Sequence, residues 1–288
     1  MATLRDIKRR IVSVKNTQQL TKAMKMVAAA KLRKAQERMQ QARPYSHSLS
    51  ELMARVSAQV DHALHPLLAV REPRKVGIVV VSGDRGLAGG FNANIIKRAN
   101  VEIAKLRQAG SEMSLICVGK KGFEFFERRN FTILEKYINF FNELKFSHAQ
   151  DISALLQSQY LGEELDRVYL VYNQFKSVIQ QEIIVRQVLP IEPARAADER
   201  YQVEFLFEPE PVKILDSLCP RYLNIEVWQA LLESYAAELG ARMSAMDAAT
   251  ENAQEVIEQL TLKYNKARQA SITKEMLEIV SGAEALQG

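Results

Sequence analysis

The sequence predicts an α/β fold: a central, Rossmann-like α/β domain joined to a long antiparallel coiled coil built from the N- and C-terminal helices. Three observations predict it. No glycine occurs before Gly77, and within that stretch only Pro44, Pro66 and Pro73 break the run. From Arg221 to Ser281 there is no proline and one glycine, Gly240. Between these ends, short β-branched runs alternate with amphipathic stretches, the grammar of a mostly parallel sheet with crossover helices.

The first element is a long helix within residues 1–60. Leu4, Ile7, Ile11 and Val14 keep a 3–4 spacing that resumes at Met24, Ala28, Leu32, Ala35 and Met39. Arg5, Lys8, Arg9, Arg10 and Lys15, opposed only by Asp6, give the start the look of a transit leader. A cleavable leader need not stay in phase with the mature helix, so this segment is expected to belong to the fold. Gln18 and Thr21 fall where apolar seam residues are expected; loosened packing and a functional role both remain open.

The central domain is expected within 75–207. Lys75–Ser82 reads as a buried strand, followed by a glycine-rich turn at 83–90 and a helix over Ala93–Gln108. Ser114–Val118 is a second strand, closed by Gly119–Gly122 and a short helix to Arg129. Phe131–Tyr137 is a third strand. His148–Leu165 is helical, with Ile152, Leu155, Leu156 and Tyr160 on one side. Arg167–Tyr172 and Ile183–Leu189 complete the sheet, the last strands antiparallel, and Tyr201–Phe207 adds a short segment.

Pro209 and Pro211 then launch the terminal helix, assigned to 209–285. Its stripe runs Trp228, Leu231, Tyr235, Leu239, Met243, Met246, Ala249, Ala253, Val256, Leu260, Tyr264 and Ala267. Eleven steps over 39 residues average about 3.5, the coiled-coil repeat. At ~1.5 Å per residue, Arg221–Ser281 would measure roughly 90 Å. Such a rod suggests a mechanical part before an enzyme.

Charge is uneven. Residues 1–60 hold thirteen Lys/Arg against three Asp/Glu, a net of +10, while the whole chain carries +5. The basic helix is either a solvated face or the counterpart of an acidic partner. Nucleic acid is disfavoured, since the first aromatic is Tyr45 and no aromatics interleave the basic residues. A membrane surface is disfavoured because the stripe is rich in Ala and Thr and lacks Trp and Phe. The longest apolar run, Val76–Val81, is far short of the ~20 residues a span requires, and no secretory h-region is visible. Cys117 and Cys219 form no metal or redox pattern and read as reduced thiols. His62 and His65 are expected to be exposed structural histidines.

The turn Gly83-Asp84-Arg85-Gly86-Leu87-Ala88-Gly89-Gly90 has the strand–turn–helix setting of a phosphate loop. It lacks the Gly-Lys-Ser/Thr ending and the GxGxxG spacing, and no acidic residue closes the second strand. Structural glycines, with Asp84 and Arg85 bonding locally or to a partner, are the better reading. Asp84, Asp151 and Asp216 are scattered and no serine sits in an elbow motif, so no catalytic constellation emerges. No cofactor and no metal are expected.

Three motifs then carry a family resemblance. Lys263 to Glu275 (KYNKARQASITKE), continuing through Glu278 to Ser281-Gly282-Ala283, resembles the gamma subunit of bacterial F-type ATP synthases. Asn16-Thr17-Gln18 with Thr21–Ala29 (TKAMKMVAA) is similar to the same family's first helix, as is Ser82–Asn94 (SGDRGLAGGFNAN) to its central domain. The likeness covers the whole chain in order. Ala88 departs from the cysteine many members carry, and no cysteine-bearing inserted loop for thiol control is present.

The resemblance implies a non-catalytic rotor. Its coiled coil would turn inside a hexamer of alpha and beta subunits, coupling proton flow through the c-subunit ring to ATP synthesis or hydrolysis. The foot would meet the epsilon subunit and the c ring, with no nucleic-acid partner and no membrane insertion. The chain would lie peripherally on the cytoplasmic face of a bacterial inner membrane. The same resemblance assigns hexamer contacts to Met24, Lys31, Arg33, Arg268, Gln269, Thr273 and Glu275, and foot contacts to Tyr201, Phe207 and Glu208. A nucleotide-dependent enzyme and a nucleic-acid-binding coiled coil remain as alternatives.

Overall fold

The computed structural model describes residues 3–178, 180–192, 208 and 210–285. The chain divides into two compact units, Ala29–Arg242 and the pair Met1–Ala28 with Met243–Gly288. Two helices contribute to both: α1, Leu4–Ser57, and α5, Pro211–Ala285. Pro211 sits at the first helical position of α5, where its fixed φ suits the helix and its missing N–H costs nothing. Pro44 and Pro220 lie inside α1 and α5, each omitting one backbone bond.

The larger unit is built on five strands in the order β3-β2-β1-β4-β5. These are β1 (Lys75–Val81), β2 (Glu112–Val118), β3 (Ile133–Tyr137), β4 (Arg167–Phe175) and β5 (Gln181–Leu189). β1 is flanked by β2 and β4, all parallel, and β3 joins parallel to β2. Only β5 runs antiparallel, against β4. The crossovers are α2 (Phe91–Gln108), α3 (Lys120–Glu127) and α4 (Phe146–Leu161).

Alternation along the strands sorts the core into two faces. Ile78, Val80, Leu115, Cys117 and Val171 pack with Ile95, Ala99 and Ile103 of α2 and Phe126 of α3. Val79, Val81, Ile116, Val118, Leu170 and Tyr172 face the opposite way, toward Ile152, Leu156 and Tyr160 of α4. Leu32–Val56 of α1 and Leu215–Leu239 of α5 add to that core, with Leu67, Leu68 and Phe141 from connecting segments. Central β1 is buried on both faces, which is why its sequence is nearly all Val and Ile.

Several boundaries move. α2 starts at Phe91 and α4 stops at Leu161 before Gly162, leaving Leu165 to plug the core from a loop. β3 is shorter than expected and mostly exposed, as an edge strand. Tyr201–Phe207 lies outside the described residues. Cys117 and Cys219 are free and buried, and burial pushes both thiols up to about 12.

His65 departs from expectation, being 4% exposed. Its Nδ1 accepts the Leu67 N–H at 3.2 Å, and its Nε2 lies 3.5 Å from Asp216. Burial, only partly opposed by Asp216, lowers its pKa. The ring anchors a loop.

Candidate functional site

The crevice beyond the carboxyl ends of the strands is where open α/β sheets take ligands, and here the 83–90 turn leaves β1. Its anion-binding positions are occupied by the chain itself. Asp84 accepts the backbone N–H of Lys120, the first residue of α3, at 3.0 Å, that of Asn139 at 2.8 Å and that of Phe141 at 3.5 Å. The N-terminus of α3, a natural phosphate seat, therefore already holds a carboxylate. Ser82 Oγ accepts the Gly122 N–H at 2.9 Å. Gly119, at φ 94°, brings its Cα so close that a Cβ would lie 2.1 Å from the Ser82 carbonyl oxygen.

A second carboxylate comes from α5. Glu238 is 4% exposed and lies against Gly83, whose own N–H donates to Asn92 Oδ1 at 2.8 Å. Arg242 donates to Glu238 Oε1 at 2.7 Å and to the Gly86 carbonyl at 3.2 Å. Burial raises the Glu238 pKa and Arg242 opposes that rise. The sequence reading has Asp84 bonding locally or to a partner; its bonds instead reach 36, 55 and 57 positions along the chain, to the start of α3 and the segment after β3. Glu238 was missed, because nothing local distinguishes a buried glutamate on a long helix from a solvated one.

Elsewhere in this unit, a groove of about 980 Å³ is lined by Arg43, Ser50, Arg186, Tyr222 and Glu226. Arg186 and Glu226 close on each other at 2.6 Å within it. Among the described residues no cluster of His, Cys, Asp or Glu could hold a metal.

In the smaller unit α1 and α5 meet side by side. Gln18 Nε2 donates to Gln254 Oε1 at 2.9 Å, Thr21 and Thr250 share a hydroxyl bond at 2.8 Å, and Lys25 pairs with Asp247. Partner numbers fall as the α1 numbers rise, so the helices are antiparallel. The polar residues at the α1 seam thus meet polar residues opposite them. One seam assignment fails: Val256 is 41% exposed and Ile257 is 8% exposed. With Thr250 accepted into the seam, the steps Met246, Thr250, Ala253, Ile257 alternate four and three, and Ile257 takes the inward position.

The anticipated hexamer contacts are all on the surface or half-buried. Met24 is half-buried; Lys31, Arg33, Arg268, Gln269, Thr273 and Glu275 are exposed. Arg33 pairs with Glu37 at 3.3 Å and Lys31 reaches Asn142 at 3.4 Å. Thr273 Oγ1 donates to the Gln269 carbonyl, and Glu275 accepts from Ser271. At ~100° per residue, Arg268, Gln269, Thr273 and Glu275 cover roughly 160° of the helix, a broad face rather than one contact row. Of the foot residues, Glu208 is exposed; Tyr201 and Phe207 lie outside the described residues.

Sequence reading also passed over an apolar stripe beyond them. Ile272, Met276, Ile279 and Val280 repeat at helical spacing and are 47–71% exposed, although no residue of α5 from 272 to 282 is buried.

A family model described as ATP synthase matches residues 3–286. The chain is 50% identical over 291 residues to the ATP synthase gamma chain of Chlorobaculum parvum, with all of both chains covered. It belongs to the ATP synthase gamma chain family. Its likeness to the family's Pelotomaculum thermopropionicum member is 49% over 287 residues, again with full coverage of both. Among solved structures, the central stalk and c ring of Tetrahymena thermophila mitochondrial ATP synthase contains a chain that superposes with a TM-score of 0.60. That chain is 26% identical, with 80% of this chain and 99% of that one covered. A chain of the Euglena gracilis mitochondrial enzyme shares the fold at a TM-score of 0.68 and 20% identity, with 98% and 94% covered.

Proposed function

We propose that this chain is the non-catalytic rotor of an ATP synthase central stalk. Its paired helices turn inside an alpha/beta hexamer, and its sheet unit serves as the foot beside an epsilon subunit and a c-subunit ring. Ion flow through that ring, taken as protons, turns the chain and drives ATP synthesis at the beta subunits; hydrolysis drives it backwards. Three identical sites are biased differently because an asymmetric shaft makes different contacts with each. The sequence reading takes 1–60 and 209–285 as shaft and 75–207 as foot; the sheet unit, Ala29–Arg242, also takes in the inner stretches of both long helices.

The observation that carries this reading is the antiparallel α1–α5 pair in a chain that the family model matches over residues 3–286. Asp84 on the Lys120 and Asn139 amides supports it against a nucleotide-dependent enzyme, because the N-terminus of α3 already holds a carboxylate. The exposed stripe at Ile272–Val280 is what a shaft end enclosed by apolar walls would carry. No helix among the described residues is long and apolar enough to cross a membrane. We propose a peripheral position for the chain, on the cytoplasmic face of a bacterial inner membrane.

Met24, Lys31, Arg33, Arg268, Gln269, Thr273 and Glu275 are the proposed hexamer contacts, and Tyr201, Phe207 and Glu208 the proposed foot contacts. The experiment is purification of the assembled ATPase followed by ion-driven ATP synthesis in vesicles. One copy of the chain per hexamer, with synthesis lost on its removal, is the expected result. Synthesis that persists without the chain would end the proposal. Within the shaft, Arg268→Ala or Gln269→Ala should impair synthesis more than Lys31→Ala or Arg33→Ala. The two basic side chains sit on an exposed flank where single ion pairs are worth only ~0–1 kcal/mol.

A further inference from the structure

We infer that the glycine turn of the sheet unit is a torque key, a socket that prevents α5 from turning about its own axis within the foot; this rests on the rotor reading above. Three residues one turn apart on α5 meet three successive points of the chain leaving β1. Ser234 Oγ donates to the Val81 carbonyl at 3.4 Å. Glu238 lies against Gly83, its Cδ and Oε1 3.0 Å from where a Cβ there would stand. Arg242 donates to the Gly86 carbonyl at 3.2 Å while holding Glu238 at 2.7 Å. Beside this polar row, Ala237 and Ala241 pack on Ala88 and Phe91.

Small residues therefore let the helix approach, and directional bonds fix its rotation. Apolar packing is non-directional, whereas the two hydrogen bonds that cross from α5 to the chain leaving β1 have preferred directions. They run from Ser234 to the Val81 carbonyl and from Arg242 to the Gly86 carbonyl, with Glu238 holding Arg242 in place. One step of rotation about the α5 axis, ~100°, would carry Ser234 and Arg242 off the Val81 and Gly86 carbonyls and take Glu238 away from Gly83. Glu238 and Arg242 are only 6% and 14% exposed at their side chains, so water does not replace what such a step would break. The Val81 and Gly86 carbonyls of the chain leaving β1 accept from Ser234 and Arg242 and so hold the helix. The positioning residues are Gly83, Glu238 and Arg242.

The test uses the assembled enzyme in inverted membrane vesicles, reading ATP hydrolysis, ATP-driven proton uptake and the amount of this chain per complex. Glu238→Gln keeps the shape and removes the charge. Gly83→Val with Glu238→Ala refills the space and removes the bond. Val70→Ala is the control, because Val70 is 71% exposed and takes no part in the key. Both key variants are expected to assemble and hydrolyse ATP while losing proton uptake per ATP, and the control should match wild type.

Wild-type uptake per ATP in both assembled key variants would overturn the key, as would hydrolysis, uptake and incorporation falling in proportion. A control as damaged as the key variants would also overturn it. If complexes lacking the whole chain pump like wild type, it is the rotor reading that fails, independently of these variants.

Discussion

In the unit spanning Ala29–Arg242, α1 and α5 lie on a sheet through Leu32, Met53, Leu223, Leu231 and Leu232, none more than 4% exposed. In the other unit the same two helices meet through Gln18–Gln254, Thr21–Thr250 and Lys25–Asp247. Each fully buried aliphatic side chain in the first contributes ~1.5–3 kcal/mol of transfer free energy. Each hydrogen bond in the second contributes a net ~0.5–1.5 kcal/mol. The first arrangement supplies stability; the second supplies register, since only one alignment pairs every donor with an acceptor. One pair of helices thus carries two different kinds of seam.

The comparison breaks first if the sheet unit does not dominate stability. Leu156→Ala, at a fully buried α4 position, should cost ~2–5 kcal/mol in denaturant unfolding. Asp84→Ala frees the exposed Lys120 and Asn139 amides to water and should cost ~0.5–1.5 kcal/mol, with faster hydrogen exchange at the start of α3.

A pH titration sharpens it next. His65 has a folded pKa below its ordinary 6.5, so the unfolded chain takes up the proton first. Its contribution is complete above pH 6.5 and is lost as the pH falls from there through the folded pKa. His65→Gln should flatten that acid limb in unfolding curves.

The polar seam should respond more weakly. Replacing both Thr21 and Thr250 by Val removes a matched pair, so exchange at 10–25 should slow by no more than ~1 kcal/mol. Lys25→Ala should change least. Its side chain and that of Asp247 are 38% and 46% exposed, placing the pair at ~0–1 kcal/mol, fading with salt.

The central strands and crossover helices were legible because hydrophobic period and glycine punctuation are local signals. β1 reads as buried from its own seven residues. The antiparallel β5 and the shortening of β3 depend on neighbours, so their extents were less visible. Within the coiled coil, average periodicity placed Met246 and Ala253 correctly but chose Val256 over Ile257, because a seam position occupied by Thr250 breaks an apolar-only count. In the candidate site, Asp84 was legible from its turn. Glu238 was not, since its burial is set by a strand exit more than 140 positions away. The exposed stripe at 272–280 was visible as spacing, yet only burial distinguished it from the inward seam that precedes it.

The self-filled crevice has a consequence for chemical traffic. A rotor in an ATP synthase would work within a few nanometres of sites that exchange ADP, phosphate and ATP continuously. An α/β unit with an open crevice there would act as a sink, drawing off the same anions its neighbours must capture. With Asp84 on the first amide of α3 and Glu238 against Gly83, that crevice presents carboxylates already engaged by the chain itself. Nucleotides passing the start of α3 find its first amide taken.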